Sequence, residues 1–135
     1  MSWSIGFSAL TREQLQHAIN LKDFEATYDY VCEYFRASFG SIPDIMFEFA
    51  EYNEAVGAVR GYAEDAEDTG LNLEFPRIYD EEAVSKVAAE FAKLDFNDMD
   101  NFDDYEDIRD VCIDLRDMFQ DAQMQNQIVI LYRMP

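Results

Sequence analysis

An amphipathic pattern between residues 108 and 122 constrains the fold of this chain more than any other stretch. Apolar residues recur there at offsets of 0, 3, 4, 7, 11 and 14, which places them on one face of an α-helix. Helices in proteins gain most of their stability by burying such a face. The stretch therefore predicts a long helix packed against a core. Its apolar face consists of Ile108, Val111, Cys112, Leu115, Phe119 and Ala122.

The other side of the same predicted helix carries a row of carboxylates. Five aspartates three or four residues apart share that side. They are Asp107, Asp110, Asp114, Asp117 and Asp121. Directly upstream, residues 95–107 hold seven acids and no base. Like charges at helical spacing cost a few tenths of a kcal/mol per pair, and a helix that needed only solubility would intersperse lysines. The pattern favours a surface on which the negative charge serves a function beyond solubility.

Length and composition predict one α+β domain that spans residues 1–135. Apolar residues make up 49% of the chain and aromatic residues 15%, which is too much for a disordered polymer despite a net charge of −19. The charge is uneven, at −5 over residues 1–60 and −14 over residues 61–135. This sign disfavours direct binding to nucleic acid or to an anionic membrane. It favours a basic protein partner, such as a nucleic-acid-binding enzyme or effector complex.

The absence of a targeting signal and the setting of the two cysteines predict a cytoplasmic protein. The N-terminal stretch has no cationic segment followed by an apolar one, and no apolar run approaches 18 residues, so neither a signal peptide nor a membrane span is predicted. Cys32 and Cys112 both fall on apolar helical faces. Two reduced core thiols are the favoured interpretation, with a disulfide between them as the alternative.

Three stretches have the pattern of strands. Residues 3–7 alternate apolar and small polar side chains, and residues 128–132 form a short continuous apolar run typical of a buried central strand. Residues 71–75 also alternate apolar and polar side chains, and Pro76 ends this predicted strand. The first and last of these strands are expected to share one sheet, because neither can bury itself alone.

About five helices are predicted to pack on one side of this small sheet, which the N- and C-terminal strands and the middle strand would form. The first begins at Thr11, where Gln14 three residues later completes a capping box. The second spans residues 23–39 and the third begins at Pro43. Asp80 caps the fourth, and the acidic helix is the fifth.

No pattern of a catalytic, metal or cofactor site is present, and the chain is predicted not to be an enzyme. Nucleophile, phosphate-loop, dinucleotide and zinc motifs are missing from the sequence. His17 is the only histidine and is interpreted as a surface residue. Residues 95–106 have acids at spacings similar to those of an EF-hand calcium loop. Neither possible register has the glycine that the sharp turn of that loop needs, so a calcium site is not predicted.

Three segments, MSWSIGFSALTREQL, RIYDEEAVSKVAAEFAKLDF and DLRDMFQDAQMQNQIVILY, resemble the YfbM-like bacterial proteins of unknown function. The resemblance covers about half of the chain. In that family an N-terminal strand leads into a short helix, a Tyr-led helix follows, and a helix and a strand close the fold. The resemblance implies an α+β topology and no activity. In overall character the chain is also similar to the acidic DNA-mimic proteins that phages use against restriction and CRISPR systems. These resemblances imply that the cytoplasm is that of a bacterial or phage-infected host cell.

The function predicted is that of an acidic protein-binding inhibitor, which presents carboxylates as a mimic of nucleic acid to a basic partner, in the manner of anti-CRISPR or anti-restriction proteins. The alternative is a toxin-immunity or housekeeping acidic cytosolic protein of the YfbM-like type, without mimicry. The predicted contact residues include two aromatic anchors, Phe102 and Tyr105. The acidic ones are Asp95, Asp98, Asp100, Asp103, Asp104, Glu106, Asp107, Asp110, Asp114, Asp117 and Asp121.

Overall fold

A computed structural model describes residues 4–40, 62–93 and 106–134. Within these ranges lie four α-helices and five strands. The helices are α1 (Arg12–Asn20), α2 (Phe24–Cys32), α3 (Glu81–Ala92) and α4 (Glu106–Met124). The strands are β1 (Ser4–Leu10), β2 (Phe35–Gly40), β3 (Glu64–Asp65), β4 (Arg77–Tyr79) and β5 (Ile128–Met134). The predicted α+β class is confirmed.

The strands form one sheet in the order β2-β1-β5-β4-β3, and every pair of neighbours is antiparallel. β5 lies in the centre, between β1 and β4, with Phe7 of β1 opposite Leu131 of β5. The predictions that residues 128–132 form a buried central strand and share a sheet with the N-terminal strand are both confirmed.

Helices cover both faces of this sheet, so the prediction that they lie on one side is wrong. Phe7 and Leu131 point toward α3 and α4, whereas Leu10 and Ile130 point toward α1 and α2. The reason lies in β5 itself. A strand with apolar side chains on two successive positions has apolar surface on both faces, and each face requires cover.

The layer that contains α3 and α4 packs around Phe119. Its side chain is fully buried and meets two other rings edge to face, with centroids 6.4 Å from Phe7 and 5.1 Å from Tyr79. Such edge-to-face contacts add to the stabilisation from buried area. The predicted buried face of α4 is confirmed for its described residues, Cys112, Leu115, Phe119 and Ala122.

The layer that contains α1 and α2 encloses a polar contact within its apolar core. The hydroxyl of Ser8 donates to the backbone oxygen of Val31 at 2.9 Å and lies 2.8 Å from the hydroxyl of Tyr132. Because buried polar groups cost stability unless they are bonded, this arrangement fixes α2 against β1 and β5.

The predicted helix over residues 23–39 is wrong in its second half. α2 ends at Cys32, and after a tight turn, in which the backbone of Tyr34 donates to Val31 at 3.0 Å, the chain becomes strand β2. Phe35 pairs with Ser8 and residue 37 with residue 7. Residues 35–39 alternate apolar and polar side chains as well as fitting a helical face, and the open edge of β1 decides between the two patterns.

Residues 71–75 do not form the predicted strand. The backbone of Leu73 donates to Leu71 at 2.9 Å, and Phe75 has a left-handed φ of 48°, so the segment bends twice. The middle strand is β4, which follows Pro76. Leu71 and Leu73 are nonetheless buried, as their alternation indicated. The helix predicted from Pro43 lies outside the described residues.

Both predicted caps are confirmed. The Thr11 hydroxyl accepts from the Gln14 backbone at 3.2 Å while the Gln14 side chain accepts from the Thr11 backbone at 2.9 Å, and Asp80 accepts from the backbone of Ala83 at 2.8 Å. These contacts satisfy backbone donors that have no partner in the first helical turn.

The two cysteines are free thiols on opposite faces of the sheet. Cys112 packs in the layer of α3 and α4, and its burial raises the pKa of its thiol to about 12. Cys32 ends α2 on the other face, beside the ring of Tyr132. The intervening sheet excludes a disulfide between them, because its two sulfurs would have to lie in contact.

Candidate partner-binding surface

The structure describes part of the predicted acidic surface. Seven predicted contact residues lie outside the described ranges, namely Asp95, Asp98, Asp100, Phe102, Asp103, Asp104 and Tyr105. Glu106 and Asp107 form the start of α4, and only their backbone is described. The four whose side chains can be placed are Asp110, Asp114, Asp117 and Asp121.

Three of these four aspartates form an exposed row on the outer side of α4. Asp110, Asp114 and Asp117 are exposed, whereas Leu115 and Met118 on the other side of the helix are buried. The fold therefore uses one side of α4 for its core and leaves the other to solvent. Removing charge from the outer side is not expected to open the core.

Asp117, at one end of this row, has a neighbouring base. The guanidinium of Arg116 contacts one carboxylate oxygen of Asp117 at 3.0 and 3.1 Å. The Asp117 side chain is 62% exposed, and ion pairs at such exposed positions are worth little. Asp117 therefore keeps most of its negative charge toward an approaching partner.

Asp121 differs from the other three because it serves the fold. Its carboxylate forms an ion pair with Arg36 of β2 and accepts from the Gln125 side-chain amide at 3.0 and 3.1 Å. The bond from Arg36, followed by that from Gln125, holds the pKa of Asp121 below its usual value. The sequence pattern did not predict this contact, because residues 23–39 fit a helix, whereas Arg36 lies in a strand beneath α4.

Asp121→Asn and Asp114→Asn are therefore expected to act in opposite directions. Loss of the ion pair with Arg36 should lower the free energy of unfolding by up to about 1 kcal/mol. Loss of the charge of Asp114 should leave stability unchanged or raise it slightly, since self-repulsion falls. Urea denaturation of the two variants at neutral pH measures the difference. Equal stabilities would mean that the contact with Arg36 does not stabilise the fold.

The pH dependence of the same pair follows from the direction of the pKa shift. Because the folded pKa of Asp121 lies below its unfolded value, the unfolded chain takes up the proton more readily. The stabilisation from Asp121 is present above the unfolded pKa, near 4. It is lost as the pH falls through the folded pKa. The difference in stability between wild type and Asp121→Asn should shrink over that acidic range.

The described residues offer no metal or histidine chemistry near this surface. Within them, no group of three or more histidine, cysteine or acidic side chains is arranged to hold a metal ion. His17 is exposed, which confirms its prediction as a surface residue, and its ring packs 4.5 Å from that of Tyr30. What this surface offers a partner is the negative charge of Asp110, Asp114 and Asp117.

Among the parts of the chain that the structure describes, no helix has the length and apolar character needed to cross a membrane. Comparison of the chain with protein-family models, with curated proteins and with solved structures finds no match. The resemblance to the YfbM-like proteins stays a prediction, and the function has to be inferred from the charges and contacts of the chain itself.

Proposed function

We propose that this chain is an acidic protein-binding inhibitor that occupies the nucleic-acid groove of a basic partner, in the manner of anti-CRISPR or anti-restriction proteins. The observation that carries the proposal is the exposed row of Asp110, Asp114 and Asp117 on a helix whose opposite side is buried from Cys112 to Ala122. These three carboxylates are not required by the core, and their mutual repulsion opposes folding. A role in binding accounts for their presence.

The spacing of the row determines how closely its charge density matches that of nucleic acid. Three carboxylates over the seven residue steps from Asp110 to Asp117 give about one charge per 5 Å of helix axis, at a rise of about 1.5 Å per residue. Duplex DNA carries one charge per roughly 1.7 Å, and each strand one per roughly 3.4 Å. The row alone is sparser than one strand. The seven acids of residues 95–107, the last two of which begin α4, would bring the charge density of the surface closer to that of nucleic acid.

The net charge of the whole chain supports the same partner. A charge of −19 attracts a basic groove over a distance of about 8–10 Å at physiological salt. Complementary charge of this kind raises the rate of association more than it lowers the rate of dissociation. The complex is therefore expected to form rapidly and to weaken steeply as salt is added.

Capture of partners from a bacterial lysate tests this function. The immobilised chain should retain a nucleic-acid-binding protein at low salt and release it at high salt. Added duplex DNA should displace the same protein, because both compete for one groove. A captured protein that DNA does not displace, such as a basic toxin without a nucleic-acid groove, would favour the immunity alternative instead.

The triple variant Asp110→Asn, Asp114→Asn and Asp117→Asn should bind that partner roughly 10- to 100-fold more weakly. This range corresponds to about 0.5–1 kcal/mol for each of three partly exposed charge contacts. A single substitution should have little effect. The association and dissociation rates should be measured at about 0.15 M salt, which is close to physiological ionic strength. The loss of affinity should appear mainly as a lower association rate.

A matched control separates this surface from the net charge of the chain. Glu25 and Asp29 on α2 and Glu33 directly after it are exposed acids spaced four residues apart, in the layer on the opposite face of the sheet. Glu25→Gln, Asp29→Asn and Glu33→Gln together change the net charge by the same amount. Binding by this control should stay close to wild type. Equal losses in both triple variants would show that only total charge matters, and no loss in either would remove the case for mimicry.

A further inference from the structure

Phe75 is a bulky apolar residue in an unfavourable position. Its side chain is 60% exposed, and its backbone has a φ of 48°. The left-handed region is disfavoured for residues with a large side chain, which makes a phenylalanine there an outlier. Neither the exposed ring nor this backbone conformation helps the isolated chain to fold. Outliers of this kind concentrate at functional sites.

The segment around Phe75 is fixed on both sides. Leu73 and Pro76 are buried, and the backbone oxygen of Glu74 accepts from the backbone of Arg133 on β5 at 2.9 Å. The backbone oxygen of Pro76 accepts from Ala66 at 3.0 Å. With its neighbours held in the core and against the sheet, Phe75 is directed outward. The ring is already in position before any partner arrives, which lowers the entropy lost on binding.

Charged side chains border the ring. The guanidinium carbon of Arg133 lies 6.0 Å from the centroid of the Phe75 ring, and Arg133 also pairs with the carboxylate of Glu74 at 3.8 Å. Arg77 is exposed nearby in sequence. Four exposed acids from the same part of the chain outnumber these two bases, and they are Glu64, Asp65, Asp68 and Glu74. The segments that adjoin Phe75 along the chain or pair with β4 therefore carry more acids than bases.

The fold brings this loop to the same end of the sheet as the N-terminal half of α4. A turn of three residues joins α4 to β5, so the helix runs back over the strand. Phe119 packs near the middle of the sheet, against Phe7 and Tyr79, and the turns that precede it extend toward the far end of β5. Arg133, which contacts Phe75, lies at that far end.

We propose that Phe75 is the aromatic anchor of the contact between this chain and its basic partner. The ring inserts into an apolar pocket bordered by lysine or arginine, while the acids of the adjoining segments meet those bases. This inference rests on the proposed function and specifies the partner surface. A second copy of the chain is a poor occupant, because two bodies of charge −19 repel each other. Aromatic residues placed in this way commonly dominate binding energy.

Two synthetic peptides of equal length and charge serve as probes, one alternating lysine with serine and the other alternating lysine with leucine. Wild type should bind the lysine–leucine peptide at least about tenfold more tightly, because only that peptide offers apolar contact to the ring. Phe75→Gly should bind both peptides alike, with affinity for the lysine–serine peptide unchanged. Its melting temperature should be equal to or above that of wild type, because glycine accepts the left-handed backbone without strain.

Three further variants complete the test. Phe75→Asn, which also tolerates this backbone, should lose selectivity between the peptides, whereas Phe75→Trp should keep it. Met124→Ala removes a more exposed apolar side chain, 82% exposed, at the other end of α4 and should change nothing. Selectivity that survives in Phe75→Gly and Phe75→Asn would overturn the role of Phe75 alone. Failure of wild type to bind either peptide at low salt would overturn the proposed function, and this inference with it.

Discussion

Phe119→Ala is expected to lower the free energy of unfolding by about 3–5 kcal/mol. Phe119 is fully buried on α4 and packs edge to face with Phe7 of β1 and Tyr79 of β4. The substitution leaves a cavity between the helix and the centre of the sheet, and rings on two separate strands lose their common contact. Urea or guanidinium denaturation, read by circular dichroism, measures the loss.

Met124→Ala is the control on the same helix. Met124 is exposed to solvent, so its removal should change stability by less than about 0.5 kcal/mol. A change of less than 1 kcal/mol for Phe119→Ala, on the order of a surface substitution, would mean that the buried side of α4 has been placed incorrectly. The outward direction of Asp110 and Asp114 would then also have to be reconsidered.

Ile130→Ala is expected to cost about 2–5 kcal/mol. Ile130 lies in the central strand, fully buried, on the face that α1 and α2 cover. It stands between Ser8 of β1 and Ile78 of β4 in the sheet register. Its truncation therefore opens a cavity in the layer opposite Phe119. The measurement is again the free energy of unfolding.

The comparison with Leu131→Ala decides whether both faces of the sheet are core. Leu131 follows directly, points to the face of α3 and α4, and is only partly buried. With helices on both faces, Ile130→Ala should cost more than Leu131→Ala. The reverse order would indicate that only the side of α3 and α4 forms a core.

Local patterns of the sequence were sufficient to predict the helix caps, the buried sides of the helices and the two long strands. The capping box of Thr11 and Gln14 depends on contacts three residues apart, and the apolar face of α4 depends on a regular helical period. Residues 128–132 are apolar without interruption, which favours a central strand. In each case the structure follows from neighbours along the chain.

Features set by distant contacts were not predictable in this way. Residues 35–40 fit both a helix and a strand, and only the edge of β1 selects the strand. The alternation in residues 71–75 correctly placed Leu71 and Leu73 inside but did not reveal the left-handed backbone at Phe75. The unbroken apolar run of residues 128–132 is consistent with two buried faces, whereas the prediction placed all helices on one side.

The candidate surface was predictable to the same degree. Helical spacing alone indicated that Asp110, Asp114 and Asp117 share the outer side of α4, and their exposure agrees with it. The same spacing included Asp121, which is bound to Arg36. That pair joins residues 85 positions apart on different elements, a contact that no periodicity along one helix contains.

The central position of β5 has a consequence for the order in which the molecule is made. Of the described elements β5 is the last to be synthesised, yet β1 and β4 both require it as their neighbour, and contacts such as Ser8 with Tyr132 join residues 124 positions apart. Pairings over such separations form slowly and leave strand edges open in the meantime. A nascent chain can pair β1 with β2, but the other edge of β1 stays open until β5 leaves the ribosome. Over that interval the excess of negative charge has a second effect, because it keeps unfinished chains apart.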